Sequence, residues 1–302
     1  MQMDYHNPVL LNETVEGLNI KEDGIYVDVT FGGGGHSRKI LKSIGSKGRL
    51  IAFDQDKDAL LNTIEDSRFL LINENFRHVK RFLRFHGIKS VDGILADFGV
   101  SSHQFDEADR GFSIRFDAQL DMRMNQQDAL SAHSLVNTYE EEDLKRVFWQ
   151  YGELRIAPAL AKTIVAARAE KVIETTFELK SVLKKHLPSG RENKILAQIY
   201  QAIRIEVNQE IEVLKAFLLQ TPELLNEGGR LSVISYHSLE DRLVKRFIRN
   251  GLFEGEPERD VFGNFEVPLK KVGSLIVPDA KEIKLNNRAR SAKLRIAEKL
   301  NT

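Results

Sequence analysis

The chain has 302 residues, 42% hydrophobic and 29% charged, which is typical of a globular protein with one large domain or two of ordinary size. It contains no cysteine, which excludes disulfides, thiolate metal sites and cysteine nucleophiles. No apolar run reaches transmembrane length, so we expect a cytoplasmic protein with no membrane partner. Its 44 basic residues balance 44 acidic ones, so only local basic patches could bind nucleic acid.

The first motif in chain order is a glycine-rich turn between a predicted strand and a predicted helix. Residues 24–29 form a short β-branched and aromatic run that predicts a buried strand, and Ser37 can cap a helix that continues to Gly45. The four glycines at 32–35 let the backbone turn and let a ligand lie against main-chain N–H groups. Taken alone, the glycines could equally be a flexible connector.

The next predicted strand, residues 49–53, is followed by Asp54. This acid lies 19 residues after the last glycine (54 − 35), close to the offset of about 20 residues at which doubly wound folds place a carboxylate on ribose hydroxyls. The succession of strand, glycine turn, helix, strand and acid predicts a nucleoside-cofactor site. The turn lacks the strict G-x-G-x-x-G of nicotinamide enzymes, and Asp28 and Thr30 before it favour the looser turn of S-adenosylmethionine enzymes.

Two further strands are predicted at 69–72 and 91–97, after a helix at 58–66. The second strand ends at Asp97, so three acids, Asp28, Asp54 and Asp97, lie at or near the carboxyl ends of strands, where open α/β sheets bind ligands. Three carboxylates at one edge repel one another unless they face a cation or hydrogen-bond donors. A sulfonium cofactor with a ribose and an ammonium group supplies both.

Helical patterns replace strands from Gln104 to about Arg204. Two S/T-x-x-E capping boxes are predicted, at 138–141 and 175–178, and one long helix is predicted at 195–219. The segment 104–124 has no regular periodicity, and an irregular segment of this length in a compact domain is usually disordered or a functional lid. Its Phe and Met content argues against disorder. Strands return at 230–236 and 293–297, the first followed by a helix that Ser238 would cap with Asp241.

These patterns predict an α/β fold: a Rossmann-like, class I S-adenosylmethionine-dependent methyltransferase sheet with an inserted, mostly helical substrate-recognition domain. The methyltransferase domain is predicted at 1–104 and 205–302, and the helical insertion at 105–204.

Eight motifs, spread over essentially the whole chain, closely resemble those of the RsmH (MraW) family. They lie at residues 30–37, 97–102, 109–113, 120–124, 151–153, 204–208, 235–242 and 288–291. Members of this family are bacterial enzymes that methylate N4 of a cytidine in the decoding centre of 16S ribosomal RNA. The chain departs from the family pattern at 193–198, where many members have a His-Pro-Ala-Thr-Arg-type stretch.

The resemblance implies S-adenosyl-L-methionine as cofactor, no catalytic metal, and 16S ribosomal RNA within the small ribosomal subunit as partner. The implied cofactor-binding residues are Gly34, Gly35, His36, Asp54, Phe76, Asp97 and Gln104. Without the resemblance, Phe76 could be a core residue and His36 a residue of the helix start.

The chemistry of the cytosine amine suggests roles for the remaining candidates. A carboxylate that accepts a hydrogen bond from N4 would increase the electron density on nitrogen, and Asp97 is the candidate catalytic residue. The target base must leave its stack. We expect Arg110, Phe112 and Arg123 to hold the base, and Arg288 and Arg290 to bind the phosphate backbone. Methylation at cytosine C5 is excluded because it needs a thiolate, and N4 or the ribose remains possible as the target.

Two other functions stay open: a nicotinamide-dependent dehydrogenase, and a non-catalytic RNA-binding or assembly factor. The sequence also leaves open the oligomeric state, with a dimer as one alternative, the identity of any dedicated general base, the assembly stage of the RNA substrate, and whether a divalent ion assists RNA binding.

Overall fold

The computed structural model describes residues 8–263 and 265–300, and the chain divides into two compact units. The first unit contains the chain up to Gly99 together with the chain from Ile211 onward, and the second is Val100–Glu210. The interpretation of the inserted part as a domain for RNA recognition stays a prediction.

A single mixed sheet is the centre of the first unit. Its seven strands in the described residues are β1 (Ile25–Asp28), β2 (Arg49–Phe53), β3 (Phe69–Ile72), β4 (Val91–Asp97), β5 (Leu225–Ser235), β6 (Leu269–Ile276) and β7 (Lys293–Lys299). They are ordered β3-β2-β1-β4-β5-β7-β6. Strands β1 to β5 run parallel, and β7 is antiparallel to both of its neighbours. The predicted α/β fold is confirmed.

Helices connect and cover the strands. The α-helices in the described residues are α1 (Leu11–Gly17), α2 (Gly35–Ser43), α3 (Val79–Phe85), α4 (Ser102–Asp106), α5 (Ala132–Thr138), α6 (Glu141–Gln150), α7 (Ala157–Glu170), α8 (Thr176–Leu183), α9 (Glu192–Val207), α10 (Glu210–Leu224), α11 (Ser238–Asn250) and α12 (Ala280–Leu285). Short 3-10 helices lie at Lys57–Asn62, Phe76–His78, Ala108–Arg110, Lys184–His186 and Asn287–Ser291. In the part of the chain that is described, no helix has the length and apolar character needed to span a membrane.

Burial on both faces explains why β1 reads as a nearly continuous apolar run. Successive strand residues point to opposite faces. Tyr26 packs into a cluster with Ile40 and Leu41 of α2, whereas Val27 belongs to the cluster that contains Phe217 of α10. Helices therefore cover the sheet on both sides.

The strand order reverses at β1, and this reversal determines where a ligand can bind. From β1 the chain builds outward to β2 and β3 on one side and continues with β4 and β5 on the other. In open α/β sheets the crevice at such a switch point, outside the carboxyl ends of the strands, is the ligand site.

The second unit is helical and has its own apolar core. Part of that core comes from the irregular segment before α5, because Phe112, Leu120, Met122 and Met124 are buried among the helices. Within the described residues of this unit, the only extended pairing is an isolated bridge between Gln119 and Thr175. The segment is therefore packed, and its interpretation as a lid stays a prediction.

Several predicted helix limits are wrong. The helix predicted at 58–66 is the 3-10 helix Lys57–Asn62. The long helix predicted at 195–219 is two helices, separated where Gln209 has a φ of 50°.

One of the predicted helix caps is confirmed and others are wrong. The capping box between Thr175 and Glu178 is confirmed. Thr138 instead ends α5, and its hydroxyl donates to the carbonyl of Ser134. Helix α11 is capped by His237 with Glu240 rather than by Ser238 with Asp241.

Asn208 ties the irregular segment to the end of α9, and its removal should destabilise the protein. Its Nδ2 donates to the carbonyl of Met122 at 2.8 Å, and its Oδ1 accepts from the amide of Met124 at 2.7 Å. Because both bonds are buried, we expect Asn208→Ala to lower the free energy of unfolding by about 2 kcal/mol in urea denaturation. Gln126→Ala, at an exposed position two residues after this segment, is the control. Equal stabilities of the two variants would contradict this role.

Candidate functional site

Three neighbouring parallel strands carry the acids predicted from the sequence. Asp28 ends β1, Asp54 directly follows β2, and Asp97 ends β4. Strand β1 pairs with both β2 and β4, and Asp28 stands opposite Ala52 and Leu95. The structure therefore brings the three carboxylates to the carboxyl edge of the sheet at the point where the strand order reverses.

The glycine turn lies against Asp54. The amide of Gly32 donates to Asp54 Oδ2 at 2.7 Å, and the amide of Asp56 donates to Oδ1 at 2.9 Å. These bonds leave lone pairs on both carboxylate oxygens, which can accept hydroxyl groups of a ligand. The carboxylate is thus held in place without being saturated.

Gly34 and Gly35 are required by local geometry. Gly34 has a φ of 74°, and a β-carbon there would lie 2.8 Å from the ring of Phe31. A β-carbon at Gly35 would overlap the ring of Pro8. A side chain at either position would therefore clash with residues already packed there, so both positions require glycine.

Asp28 has a different role from the other two acids. Its side chain is fully buried, Oδ2 accepts from the hydroxyl of Ser37 at 2.7 Å, and Oδ1 accepts from the amide of Thr30 at 3.1 Å. Asp28 therefore ties the glycine turn to α2 and contributes negative charge beneath the site.

Asp97 is held between elements on either side of β4. Its amide donates to Thr30 Oγ1 at 2.7 Å, and its Oδ1 accepts from the hydroxyl of Tyr236 at 2.8 Å. Oδ2 lies 3.9 Å from Nδ1 of His36, and the Asp97 side chain remains 22% exposed. One carboxylate oxygen is therefore oriented by the protein, and part of the group is accessible.

His36 is neutral at physiological pH because burial lowers its pKa to about 4. Its Nε2 lies 3.1 Å from the carbonyl of Val9, so the proton is on Nε2 and Nδ1 is left as an acceptor. His36 therefore contributes an acceptor, not a charge, beside Asp97.

The three acids concentrate negative charge at a site where burial removes much of the water around them. Burial is the main cause that raises the pKa of Asp28 and of Asp54 to about 6 and that of Asp97 to about 7. The charge of Asp28 raises the pKa of the other two further. Within residues 8–263 and 265–300, no lysine or arginine forms an ion pair or hydrogen bond with any of the three. This arrangement suits a cationic ligand that also offers hydrogen-bond donors.

Phe76 lies close to the segment that carries Asp54. The neighbouring Asn75 donates to Oε1 of Gln55 at 2.6 Å. The half-buried ring of Phe76 packs against Phe98 and Phe217, with centroids 5.9 Å and 5.4 Å away. Phe76 is thus part of an aromatic cluster, and its place beside an adenine stays a prediction.

The other candidates of the second unit have internal partners. Gln104 is buried, and its Oε1 accepts from the amide of Ser101 in a capping box at the start of α4. Arg110 is buried and donates to the carbonyls of Arg123 and Met124 at 3.0 and 3.1 Å. Phe112 lies in the helical core below the Arg110 guanidinium. Their roles in cofactor and base binding stay predictions.

Arg123 and the two C-terminal arginines are nearer the surface. Arg123 forms a two-bond pair with Asp121, at 2.7 and 2.9 Å. Arg288 and Arg290 lie in the 3-10 helix Asn287–Ser291, just before β7. Because Lys293 of β7 pairs with Ser235 at the end of β5, this helix lies at the carboxyl edge of the sheet. Arg290 is exposed and Arg288 half-buried.

Tyr236 contacts Asp97, but sequence reasoning did not select it as a site residue. It was the last residue of a predicted strand and lay in the motif at 235–242, and no local pattern distinguishes a tyrosine that binds an acid from one that fills the core. Its partner lies 139 residues earlier. The usable signal was its position at the carboxyl end of a strand, the feature that singled out the three acids.

Comparisons with known proteins show which family the chain resembles over nearly its whole length. Residues 3–300 match the profile of the MraW methylase family. The chain is 72% identical over 298 residues to "Ribosomal RNA small subunit methyltransferase H" of Flavobacterium johnsoniae, covering 99% of each chain. It is 71% identical to the protein of that name from Christiangramia forsetii, covering 99% of each, and 54% identical to that from Bacteroides thetaiotaomicron, covering 99% of this chain and 98% of the relative.

The raised pKa of Asp28 predicts a pH-dependent stability. Between its ordinary value near 3.8 and about 6, the folded protein keeps a proton that the unfolded chain has lost, so stability is lost as the pH rises through about 6. In Asp28→Asn this loss is absent, and the amide can keep both bonds. We therefore expect the stability of the variant relative to wild type to increase by about 2 kcal/mol from pH 4 to 7.5.

Urea denaturation of the cofactor-free proteins at several pH values measures this difference. Asp23→Asn, which changes an exposed carboxyl, is the matched control and should show no such increase. A difference for Asp28→Asn that is the same at every pH would contradict a proton held by Asp28.

Proposed function

The chain belongs to the MraW methylase family, and from this premise we propose that it transfers the methyl group of S-adenosyl-L-methionine to N4 of a cytidine in the decoding centre of 16S ribosomal RNA. The observation that carries the proposal is the group of three desolvated acids beside a bare glycine turn, at the reversal point of the sheet. The names of the relatives support the small-subunit RNA as substrate. A ribosomal substrate places the reaction in the cytoplasm.

The residues of the first unit fit this cofactor. Asp54 has lone pairs for the two ribose hydroxyls. By the family resemblance Gly34 and Gly35 would line the methionine part, and the adenine would lie beside Phe76. The excess negative charge, which no basic side chain of the described residues neutralises, favours a sulfonium and an ammonium group.

When bound, the cofactor supplies an electrophilic methyl group on a positively charged sulfur. The protein must hold the cytosine N4 in line with that methyl carbon and exclude water. Methyl transfer would leave an extra proton on N4, and Asp97 would accept that proton through its accessible carboxylate.

The neutral state of His36 supports this division of roles. An imidazolium next to Asp97 would neutralise the carboxylate and weaken it as a proton acceptor. Because burial keeps His36 unprotonated, its Nδ1 adds a second acceptor 3.9 Å from Asp97 Oδ2. A donor group of the ligand or the substrate can be oriented by the two acceptors together.

On the RNA side, we assign phosphate binding to Arg288 and Arg290 at the carboxyl edge of the sheet. Arg110 and Phe112 are buried, so they would act on the target base by shaping the loop that carries Arg123. By the family resemblance Gln104 is a further candidate for cofactor binding. Because the chain has no cysteine, the thiolate needed for methylation at cytosine C5 is not available.

Mass spectrometry of nucleosides tests the reaction. Small ribosomal subunits that lack the modification are incubated with labelled cofactor and the protein, and we expect the label in N4-methylcytidine. Asp97→Asn should lower kcat at least about 100-fold, because it removes the proton acceptor, and change cofactor affinity only a fewfold. Asp23→Asn is the control. Label on the ribose, or no transfer, would refute the proposed function, and near-normal turnover of Asp97→Asn would refute the role of that acid.

Arg290 should contribute to RNA binding through charge alone. We expect Arg290→Ala to weaken binding of the small-subunit RNA severalfold and to reduce the slope of log affinity against log salt by about one, since one phosphate contact is lost. Cofactor affinity should not change. Lys47→Ala removes an exposed charge from the turn before β2, at the amino edge of the sheet, and should leave the slope unaltered. Equal slopes for wild type and Arg290→Ala would contradict the assignment.

A further inference from the structure

Tyr236 lies at the end of β5, beside the acid to which the proposed function assigns proton transfer. Strand β5 pairs parallel with β4, and Ile234 stands opposite Asp97, so Tyr236 follows two residues later at the same edge. Its hydroxyl donates to Asp97 Oδ1 at 2.8 Å. The contact therefore depends on the pairing of two strands that are far apart in sequence.

The backbone of Tyr236 is fixed independently of Asp97. Its amide donates to Oε2 of Glu240 at 2.8 Å, and Glu240 belongs to the capping box that starts α11. The ring packs on the cluster around Ile234 and Leu294. Because its amide and its ring are fixed, Tyr236 can restrict the orientation of the Asp97 carboxylate.

The hydrogen bond occupies one oxygen of Asp97. With Oδ1 bound to Tyr236, the carboxylate cannot rotate freely, and Oδ2 is directed towards the side where Nδ1 of His36 lies at 3.9 Å. Oδ2 is then the oxygen that can accept a proton from a substrate. The orientation of Oδ2 follows from a group outside the motifs that bind the cofactor.

We propose that Tyr236 is a positioning residue for methyl transfer: its hydroxyl orients the Asp97 carboxylate and keeps it ionised as the acceptor of the substrate proton. This inference rests on the proposed function. Tyr236 acts through Asp97, and it neither accepts the proton nor contacts the reacting atoms.

The electrostatic surroundings explain why such a donor is needed. Burial raises the pKa of Asp97 to about 7, and the negative charges of Asp28 on β1 and Glu240 on α11 add to this effect. His36 on α2 is neutral and supplies no compensating charge. The hydrogen bond from Tyr236 lowers the pKa of Asp97 against these influences.

Tyr236 itself stays protonated over the whole useful pH range. Burial raises its pKa well above 10, and the charges of Asp97, Glu240 and Glu282 on α12 raise it further. The hydroxyl therefore remains a donor at any pH at which Asp97 is ionised. Removing this donor should make Asp97 harder to ionise without changing the net charge of the site.

Tyr236→Phe removes the hydroxyl and keeps the ring. Rates of methyl transfer are measured from pH 5.5 to 9 with saturating cofactor and RNA. We expect the acidic limb of kcat to move up by about one pH unit, so that kcat falls about tenfold at the acid end and approaches the wild-type value at pH 9. KM for the cofactor should change little.

Tyr200→Phe is the matched control. It also removes a buried hydroxyl, one that donates to the carbonyl of Thr176 at 2.7 Å in the helical unit. This variant should lose stability but keep the wild-type position of the acidic limb. A general effect of losing a buried hydrogen bond is thereby separated from an effect on Asp97.

Carbon-13 NMR of the aspartate carboxyl groups in the cofactor-free protein gives a readout that does not depend on turnover. The Asp97 signal is identified by its loss in Asp97→Asn, and its titration midpoint should be higher in Tyr236→Phe than in wild type. An unchanged midpoint, or a uniform fall of kcat at every pH, would overturn the role of Tyr236. Absence of methyl transfer by the wild-type protein would instead contradict the proposed function.

Discussion

The whole site depends on carboxylates that the sheet forces out of water. Parallel pairing of β1 with β2 and β4 brings the ends of these strands together, so Asp28, Asp54 and Asp97 share one edge. Their raised pKa values show that burial opposes ionisation. Backbone amides and hydroxyl groups partly offset this cost, but within the described residues no basic side chain does. A cationic ligand would relieve the rest of the unfavourable energy, which would tie cofactor binding to the electrostatics of the fold.

The three acids are chemically alike but differ in what surrounds them. Asp28 is fully buried, and its oxygens are bound by Ser37 and Thr30, so it stabilises the turn. Asp54 accepts two amides of the turns around it and keeps capacity for hydroxyl groups. Asp97 is bound at one oxygen only and is partly exposed. The proposed roles of a structural acid, a binding acid and a proton acceptor thus follow from hydrogen bonding rather than from residue type.

Local pattern predicted much of the sheet because its strands are buried apolar runs with an acid at the end, and this information is contiguous in the chain. It failed where a distant partner decides the conformation. Hydrophobic spacing continues from Val207 to Ile211, both buried, so the sequence reads as one helix, but Asn208 bonds to Met122 and Met124 and the helix ends there. The prediction of the α11 cap failed for a different reason. Both Ser238-x-x-Asp241 and His237-x-x-Glu240 have capping spacing, and in the structure the helix that follows β5 uses the second pair.

Tyr236 could not be selected from the sequence because its partner, Asp97, lies 139 residues earlier in the chain. The chemistry of the site nevertheless explains why a tyrosine is suited to this position. A lysine or arginine beside Asp97 would also supply a hydrogen bond, but it would cancel the negative charge that favours a cationic ligand and would hold the carboxylate in an ion pair. A hydroxyl with a pKa well above 10 donates without adding charge. In the proposed mechanism Asp97 is thereby oriented and kept ionised while the site as a whole stays anionic, so that binding the cofactor and accepting the substrate proton do not compete for one positive charge.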